Sequence, residues 1–184
     1  MRLLLFDDYR LGVLDGDVVR DATAATEQLD FHSPQEMITQ IVTGWAALQP
    51  AIEAAAADGP GVPLESLKLC PPVPRPGQLV CLAGNYLEPR SPERSPFNAF
   101  LKSPNSVIGH GDTVTLPDVE ASVFHFEPEL ALVIGKRASH LRAADAMEHV
   151  FGYVQLMDVS ARGLPGGFFL GKSWHTFGPM GRCW

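Results

Sequence analysis

No stretch of the 184 residues approaches the run of about 18 apolar residues that a membrane-spanning helix needs. The expectation is therefore a chain with no membrane partner. The N-terminus offers only Leu3-Leu4-Leu5-Phe6 before Asp7 and Asp8 close the run. That is too short for a signal peptide, and no small-residue cleavage site follows it. Basic residues are scarce as well: 14 Lys and Arg stand against 21 Asp and Glu, a formal charge of −7, with no basic cluster. Nucleic-acid binding is not expected of such a chain. Cysteine is rarer still, and Cys70, Cys81 and Cys183 lack metal-ligand spacing. Cys70 and Cys81, set among apolar neighbours, read as small buried hydrophobes. With few thiols and no export signal, a reducing, cytoplasmic setting is the expectation. Disorder is excluded by a composition 46% hydrophobic and only 19% charged.

Proline is plentiful, and its placement divides the chain. Ten of the 16 prolines lie between Pro60 and Pro104. Before them, Leu3–Phe6 reads as a strand, and Leu11–Leu14 and Asp17–Val19 read as a hairpin around Asp15-Gly16, a pair that tolerates a tight turn. Ser33-Pro34-Gln35-Glu36 is a helix start: a serine cap, a proline at the first helical position and a glutamate to complete a capping box. Met37, Ile38, Ile41 and Val42 then recur at helical spacing. Gly44 ends that helix, and a second runs from Trp45 to Ala57, with Pro50 kinking or restarting it. Residues 1–70 thus form a small α+β domain. The stiff segment Pro71–Gly77 leads into residues 71–184, where strands dominate: 78–82, 99–102, 112–116, 129–134 and 150–158. One helix, Ala143–His149, interrupts them. The fold class is α+β, a small N-terminal unit followed by a mainly antiparallel β domain.

Carboxylates carry the chemical signal. In a strand, residues two apart share a face, so Glu127 and Glu129 point the same way while Pro128 points away. Such close like charges repel unless a cation or proton intervenes. Pro128 cannot donate to a ladder and marks a sheet edge or bulge. Asp158 ends another apolar strand. Three carboxylates without nearby cysteine or paired histidine suit Mg²⁺, Mn²⁺ or Ca²⁺ rather than Zn²⁺. A solvated Glu-x-Glu and a capping aspartate would show the same spacing.

The residues around these acids give the pattern a context. Asn85-Tyr86, Phe100-Leu101-Lys102-Ser103-Pro104, His125-Phe126-Glu127-Pro128-Glu129-Leu130 running on to Val133-Ile134-Gly135-Lys136, Gly152-Tyr153, Asp158-Val159-Ser160-Ala161-Arg162, Gly171-Lys172-Ser173 and Thr176–Gly181 stand in an order and spacing that resembles the fumarylacetoacetate hydrolase family. The resemblance runs from about Pro71 to Gly181. It implies a β-roll catalytic domain, usually dimeric, holding Mg²⁺ or Mn²⁺ through Glu127, Glu129 and Asp158. It implies Lys172 and Lys102 as catalytic residues, and Tyr86 and Arg162 beside a small oxo-acid substrate. The implied chemistry is cleavage of a carbon–carbon bond in a β-diketo acid, or decarboxylation or isomerisation of a related oxo-acid. The cation would stabilise the enolate and a lysine would add charge stabilisation.

Three departures accompany the resemblance. Pro89 stands where the family supplies a histidine of its water-activating His/Glu pair, leaving Glu88 or Glu93 as a lone base. Gly163–Gly167 replaces the usual acid and glutamine after Arg162, and His175 replaces an aspartate after Lys172-Ser173. Finally, the roll is expected to be incomplete at its C-terminus, with Phe168, Phe169, Trp174, Phe177 and Trp184 short of cover. The alternative reading is a non-catalytic fragment or pseudoenzyme that keeps the carboxylates. His110 reads as a turn residue and His125 as a non-ligand.

Overall fold

The structure, a computed structural model, describes residues 1–87, 93 and 95–183. Glu88, Pro89 and Trp184, singled out above, lie outside the described residues. Leu3–Phe6 (β1), Arg10–Asp15 (β2), Val18–Asp21 (β3), Gly61–Pro63 (β4) and Leu69–Cys70 (β5) form one sheet in the order β4-β3-β2-β1-β5, every pair antiparallel. The turn between β2 and β3 is the expected Asp15-Gly16 hairpin, and Gly16 takes a positive φ of 59°, which favours residues without a Cβ.

Helix α1 spans Pro34–Thr43. Ser33 caps it by accepting from the Glu36 amide at 3.2 Å. The Glu36 carboxylate reaches back one residue further than a capping box requires, accepting from the His32 amide at 2.7 Å. Met37, Ile38, Ile41 and Val42 form its buried stripe, as their spacing requires. Helix α2 runs unbroken over Trp45–Asp58 with Pro50 inside it. Pro50 removes the one bond its amide would have given to the Ala46 carbonyl, but the helix continues through it and is neither split nor restarted there.

Asp21 ties the end of β3 to the turn that follows. Burial pushes its carboxyl up, but bonds from the Thr23 hydroxyl and amide, together with Arg10, hold it below the usual carboxylate range. A depressed folded-state pKa contributes stability that is present above the unfolded value, about 4, and is lost as pH falls through the folded value. Asp21→Asn should therefore be less stable than the wild type near neutrality, and the gap should narrow in acid. Urea unfolding across that range is the measurement; a gap independent of pH would show that the charge plays no part.

The second half is built on two antiparallel hairpins. Leu79–Leu82 (β6) pairs with Ala99–Lys102 (β7), and Val123–Ile134 (β9) pairs with Val150–Arg162 (β10). Short Val107–Ile108 (β8) pairs in parallel with Gly178–Pro179 (β11). Strands β9 and β10 are longer than expected, so Asp158 lies within its strand rather than at its end. The segment 112–116 is irregular rather than a strand, and Ala143–His149 is a 3₁₀ helix. Pro128 lies inside β9, whose other edge has no partner among the described residues, so the edge reading holds. The bulge falls instead at Val150–Gly152. A short helix absent from the sequence reading, α3 over Gly167–Lys172, packs on β7 and β10.

The core is continuous across the two halves. Leu5, Ile38, Ile41 and Ile52 share one cluster with Leu79, Val154, Leu156 and Met180. No described helix is long and apolar enough to cross a membrane. The cover expected to be missing over the late aromatics is partly present. Phe177 is fully buried, edge-on to Phe124, and Phe168 stacks on Phe100 at 4.6 Å. Phe169 stays 63% exposed and Phe168 37%, as expected, and further exposed apolar surface lies on the outer faces of the two hairpins.

Candidate active site

The inward faces of the hairpins meet, and the carboxylates lie between them. In the β9–β10 ladder Glu127 is directly opposite Asp158, and Glu129 is opposite Leu156. Pleating therefore places all three acids on one face, the convergence expected from sequence. Leu79, Cys81, Phe100 and Lys102 alternate toward them on β6 and β7, where Cys81 pairs with Phe100 and Leu79 with Lys102.

Each acid has a different electrostatic setting. Asp158 is buried and bracketed by two ammonium groups. Lys102, whose side chain is fully buried, donates to Oδ1 at 2.7 Å, and Lys172 donates to Oδ2. Lys102 Nζ also donates to the Val159 carbonyl at 3.1 Å. Burial holds the Lys102 ammonium below the usual lysine range, although Asp158 opposes the shift. Glu127 accepts from Lys172 at 2.6 Å, Ser160 at 2.9 Å and Arg162 at 2.7 Å. Its partial burial acts to raise its pKa, but these donors hold it below the normal glutamate range. Glu129 is shifted the other way: burial comes first, then the negative charges of Asp158 and Glu127, with the Tyr86 hydroxyl opposing them.

Lys172 comes from the end of α3. Gly166 begins that helix with a φ of 92°, a conformation open to glycine. Gly171 sits so close to β10 that a Cβ there would lie 2.9 Å from the Ala161 carbonyl oxygen. The close approach brings Lys172 between Glu127 and Asp158, with its ammonium 5.1 Å from the Phe100 ring centre. Ser173 Oγ accepts from the Ser103 amide at 3.0 Å, tying the residues after the two lysines together.

All of the sequence-derived candidates, Tyr86, Lys102, Glu127, Glu129, Asp158, Arg162 and Lys172, thus fall in one cluster. Lys102 is enclosed behind Asp158, and Tyr86 is 59% exposed at the cluster's open side. His175 is exposed and makes no hydrogen bond to the acids among the described residues, and His125 meets only Arg162, at 3.4 Å. The sequence reading placed Cys81 among inert core thiols. It is half-buried and lies beside the acids, where burial and the Asp158 charge push its thiol up to about 11. Its position two residues from Leu79, on the face that carries the β7 lysine, was the available signal.

The donor chemistry suits a hard divalent cation: three carboxylates on one sheet face, two of them already turned toward one cationic atom, Lys172 Nζ. As the side chains stand, no three acids, histidines or cysteines among the described residues close on a common point. Three cations, Lys102, Lys172 and Arg162, offset the three carboxylates.

Residues 79–184 match the family model for the fumarylacetoacetate (FAA) hydrolase C-terminal domain. The chain is 36% identical over 157 residues to human oxaloacetate tautomerase FAHD2A, mitochondrial, across 80% of this chain and 50% of that protein. It is 40% identical over 128 residues to oxaloacetate tautomerase YisK of Bacillus subtilis (strain 168), across 64% of this chain and 42% of that one. The maleylpyruvate hydrolase of Sphingobium sp. SYK-6, solved in complex with manganese(II) and pyruvate, superposes with a TM-score of 0.86 at 34% identity. That alignment covers all of this chain and 66% of the other. The chain therefore spans about half the length of the curated relatives and about two thirds of the solved ones.

Proposed function

Since the chain belongs to the fumarylacetoacetate hydrolase family, we propose that it holds a divalent cation, Mg²⁺ or Mn²⁺, through Glu127, Glu129 and Asp158 and acts on acylpyruvate-type oxo-acids. The reaction is carbon–carbon cleavage, or the keto–enol shift that develops the same negative charge. The observation that carries this reading is the convergence of three carboxylates on one face of β9–β10, with lysines against two of them. A bound divalent ion supplies polarisation of the substrate's oxygens and offsets the charge of the enolate.

The chain's own groups have distinct jobs in this reading. Lys172, buried against Asp158 and already at the carboxylates, places a fixed ammonium beside the developing charge. Lys102 acts through Asp158: it is enclosed behind that carboxylate and fixes its orientation. Arg162 and Ser160 fix Glu127 in the same way. Tyr86 donates a hydroxyl at the open side, where a substrate carboxylate or keto oxygen enters. A homodimer is the assembly proposed with this reading.

The relatives named for oxaloacetate tautomerisation and maleylpyruvate hydrolysis support an oxo-acid substrate. The second reading, a non-catalytic member, draws on the balance of three acids by three cations, which gives the cluster a structural role without any metal. One titration separates the two. Calorimetry with Mn²⁺ should show one site in the wild type and none in Glu129→Ala. Glu129 has the least cationic support of the three acids, so its loss removes a ligand without breaking the Asp158–lysine pairs. Equal binding by the variant would remove Glu129 from the ligand set, and no binding by the wild type would favour the structural reading.

A further inference from the structure

We propose that the substrate's tail lies in the cleft between β6 and β9, that this tail is uncharged, and that Cys81 and Ala131 set its length. The inference rests on the reading that Glu129 and Asp158 engage the oxo-acid end through a cation. A cavity of about 320 Å³ opens directly beside those two carboxylates. Leu79, Cys81, Ala131 and Leu156 line it together with the more exposed Leu130 and Leu132, and Gln78, Asn85 and Tyr86 add neutral polar groups. Any molecule held at the carboxylates extends into this space.

The walls select for chemistry. Among the described residues, no lysine, arginine or histidine lines the cavity. A second carboxylate placed there would lose water against leucine and alanine and find, among the described residues, only the neutral amides of Gln78 and Asn85 and the Tyr86 hydroxyl, which offset its charge less than a cation does. Diacids such as oxaloacetate and maleylpyruvate therefore fit this cleft poorly, whereas an acylpyruvate with a short alkyl or aryl tail fits it.

The walls also select for size. Cys81 faces inward from β6 in register with Phe100, and Ala131 faces inward from β9 two residues beyond Glu129. Both are small, and both stand between larger neighbours. The cleft exists because these two positions leave room. A larger side chain at either one fills the tail's space without touching the acids' own hydrogen bonds.

The test uses the 184-residue chain loaded with Mn²⁺ and three simple 2-oxo acids in competition calorimetry. Burial of each methylene is worth about fourfold in affinity. 2-Oxohexanoate should therefore bind roughly 14-fold more tightly than 2-oxobutanoate. It should also bind at least about tenfold more tightly than 2-oxoglutarate, which is similar in size and ends in a carboxylate. Ala131→Leu and Cys81→Phe should each remove most of the advantage of the longer acid. Ala131→Val and Cys81→Val, milder changes, should reduce it in part and guard against a misfolded variant. Bound 2-oxohexanoate should in addition slow alkylation of Cys81 relative to Cys183, read by mass spectrometry. Equal or tighter binding of 2-oxoglutarate overturns the inference, as does a length preference that survives both large substitutions. Failure of all three acids to bind in the presence of bound Mn²⁺ overturns the oxo-acid reading itself, and the inference falls with it.

Discussion

Asp158→Ala should cost the folded chain roughly 3–5 kcal/mol, the usual range when one member of a buried ion pair is removed, and should abolish Mn²⁺ binding. The size of the loss follows from what the aspartate leaves behind. Lys102, fully buried, keeps only the Val159 carbonyl, and Lys172, nearly as buried, keeps Glu127. Two largely buried ammonium groups then share one carboxylate, Glu127, that is itself a third exposed. A domain is stable by only about 5–15 kcal/mol in total, so the variant should stand near its unfolding threshold at room temperature. Urea unfolding measures the effect, and a double-mutant cycle assigns it. Adding Lys102→Met to Asp158→Ala removes the stranded charge, so the pair should recover a large part of the single variant's loss. A loss under about 1 kcal/mol for the single variant would place the pair in the class of weak surface contacts and contradict the burial seen here. Loss of metal binding with stability intact would separate ligation from structure.

The elements whose physics is local were legible in the sequence. Asp15-Gly16 set its hairpin through turn chemistry, and Ser33-Pro34-Gln35-Glu36 set the start of α1 through capping. The shared face of Glu127 and Glu129 followed from the two-residue period of a strand, and the partner strand carrying Asp158 came from the family pattern. Failures occurred where tertiary packing decides. Helix α3 forms from Gly166-Gly167-Phe168-Phe169, a poor helix start by propensity, because Phe168 stacks on Phe100 and Gly171 allows contact with β10. Asp112–Leu116 alternates like a strand but finds no neighbouring edge, and Thr115 instead donates its amide to the Thr176 hydroxyl at 2.8 Å. Pro50 was weighed as an isolated helix breaker, yet Ile52 and Ala56, buried on the same helix, hold α2 together past it. Lys102 carried no mark of burial in the sequence, because a lysine at a strand end is ordinarily solvated. Only the pairing of β7 with β6 shows that it faces inward, toward an aspartate 56 residues away.

Association through the outer faces of the hairpins is the other large effect expected of this chain. Phe126, Leu130, Leu132 and Ile134 line the outward face of β9, and Val80, Leu82 and Leu101 line that of β6 and β7, all of them exposed. Contiguous apolar surface of this kind marks an interaction surface in a folded protein. The exposed edge of β9 adds unpaired backbone groups beside it. Burying a side chain of this class is worth roughly 1.5–3 kcal/mol. With about half of each already covered, the four β9 residues contribute roughly 6–12 kcal/mol when both copies of a two-fold pair are counted. The hairpin faces of β6 and β7 add to this, while association costs at least about 4 kcal/mol in lost freedom. The balance places self-association near the micromolar range, where about 8 kcal/mol is required. Sedimentation velocity should show a reversible species heavier than the 20.0 kDa chain. Leu130→Glu with Leu132→Glu should return it to monomer, because two charges on each copy would have to be desolvated. Leu130 and Leu132 also line the cavity beside Glu129 and Asp158, so the integrity of the double variant is read from its urea unfolding rather than from metal binding, and Phe126→Glu, exposed and outside that cavity, should weaken the association as well. A wild-type chain that sediments as a monomer throughout the micromolar range would mean that water covers these faces at less cost than a second copy does.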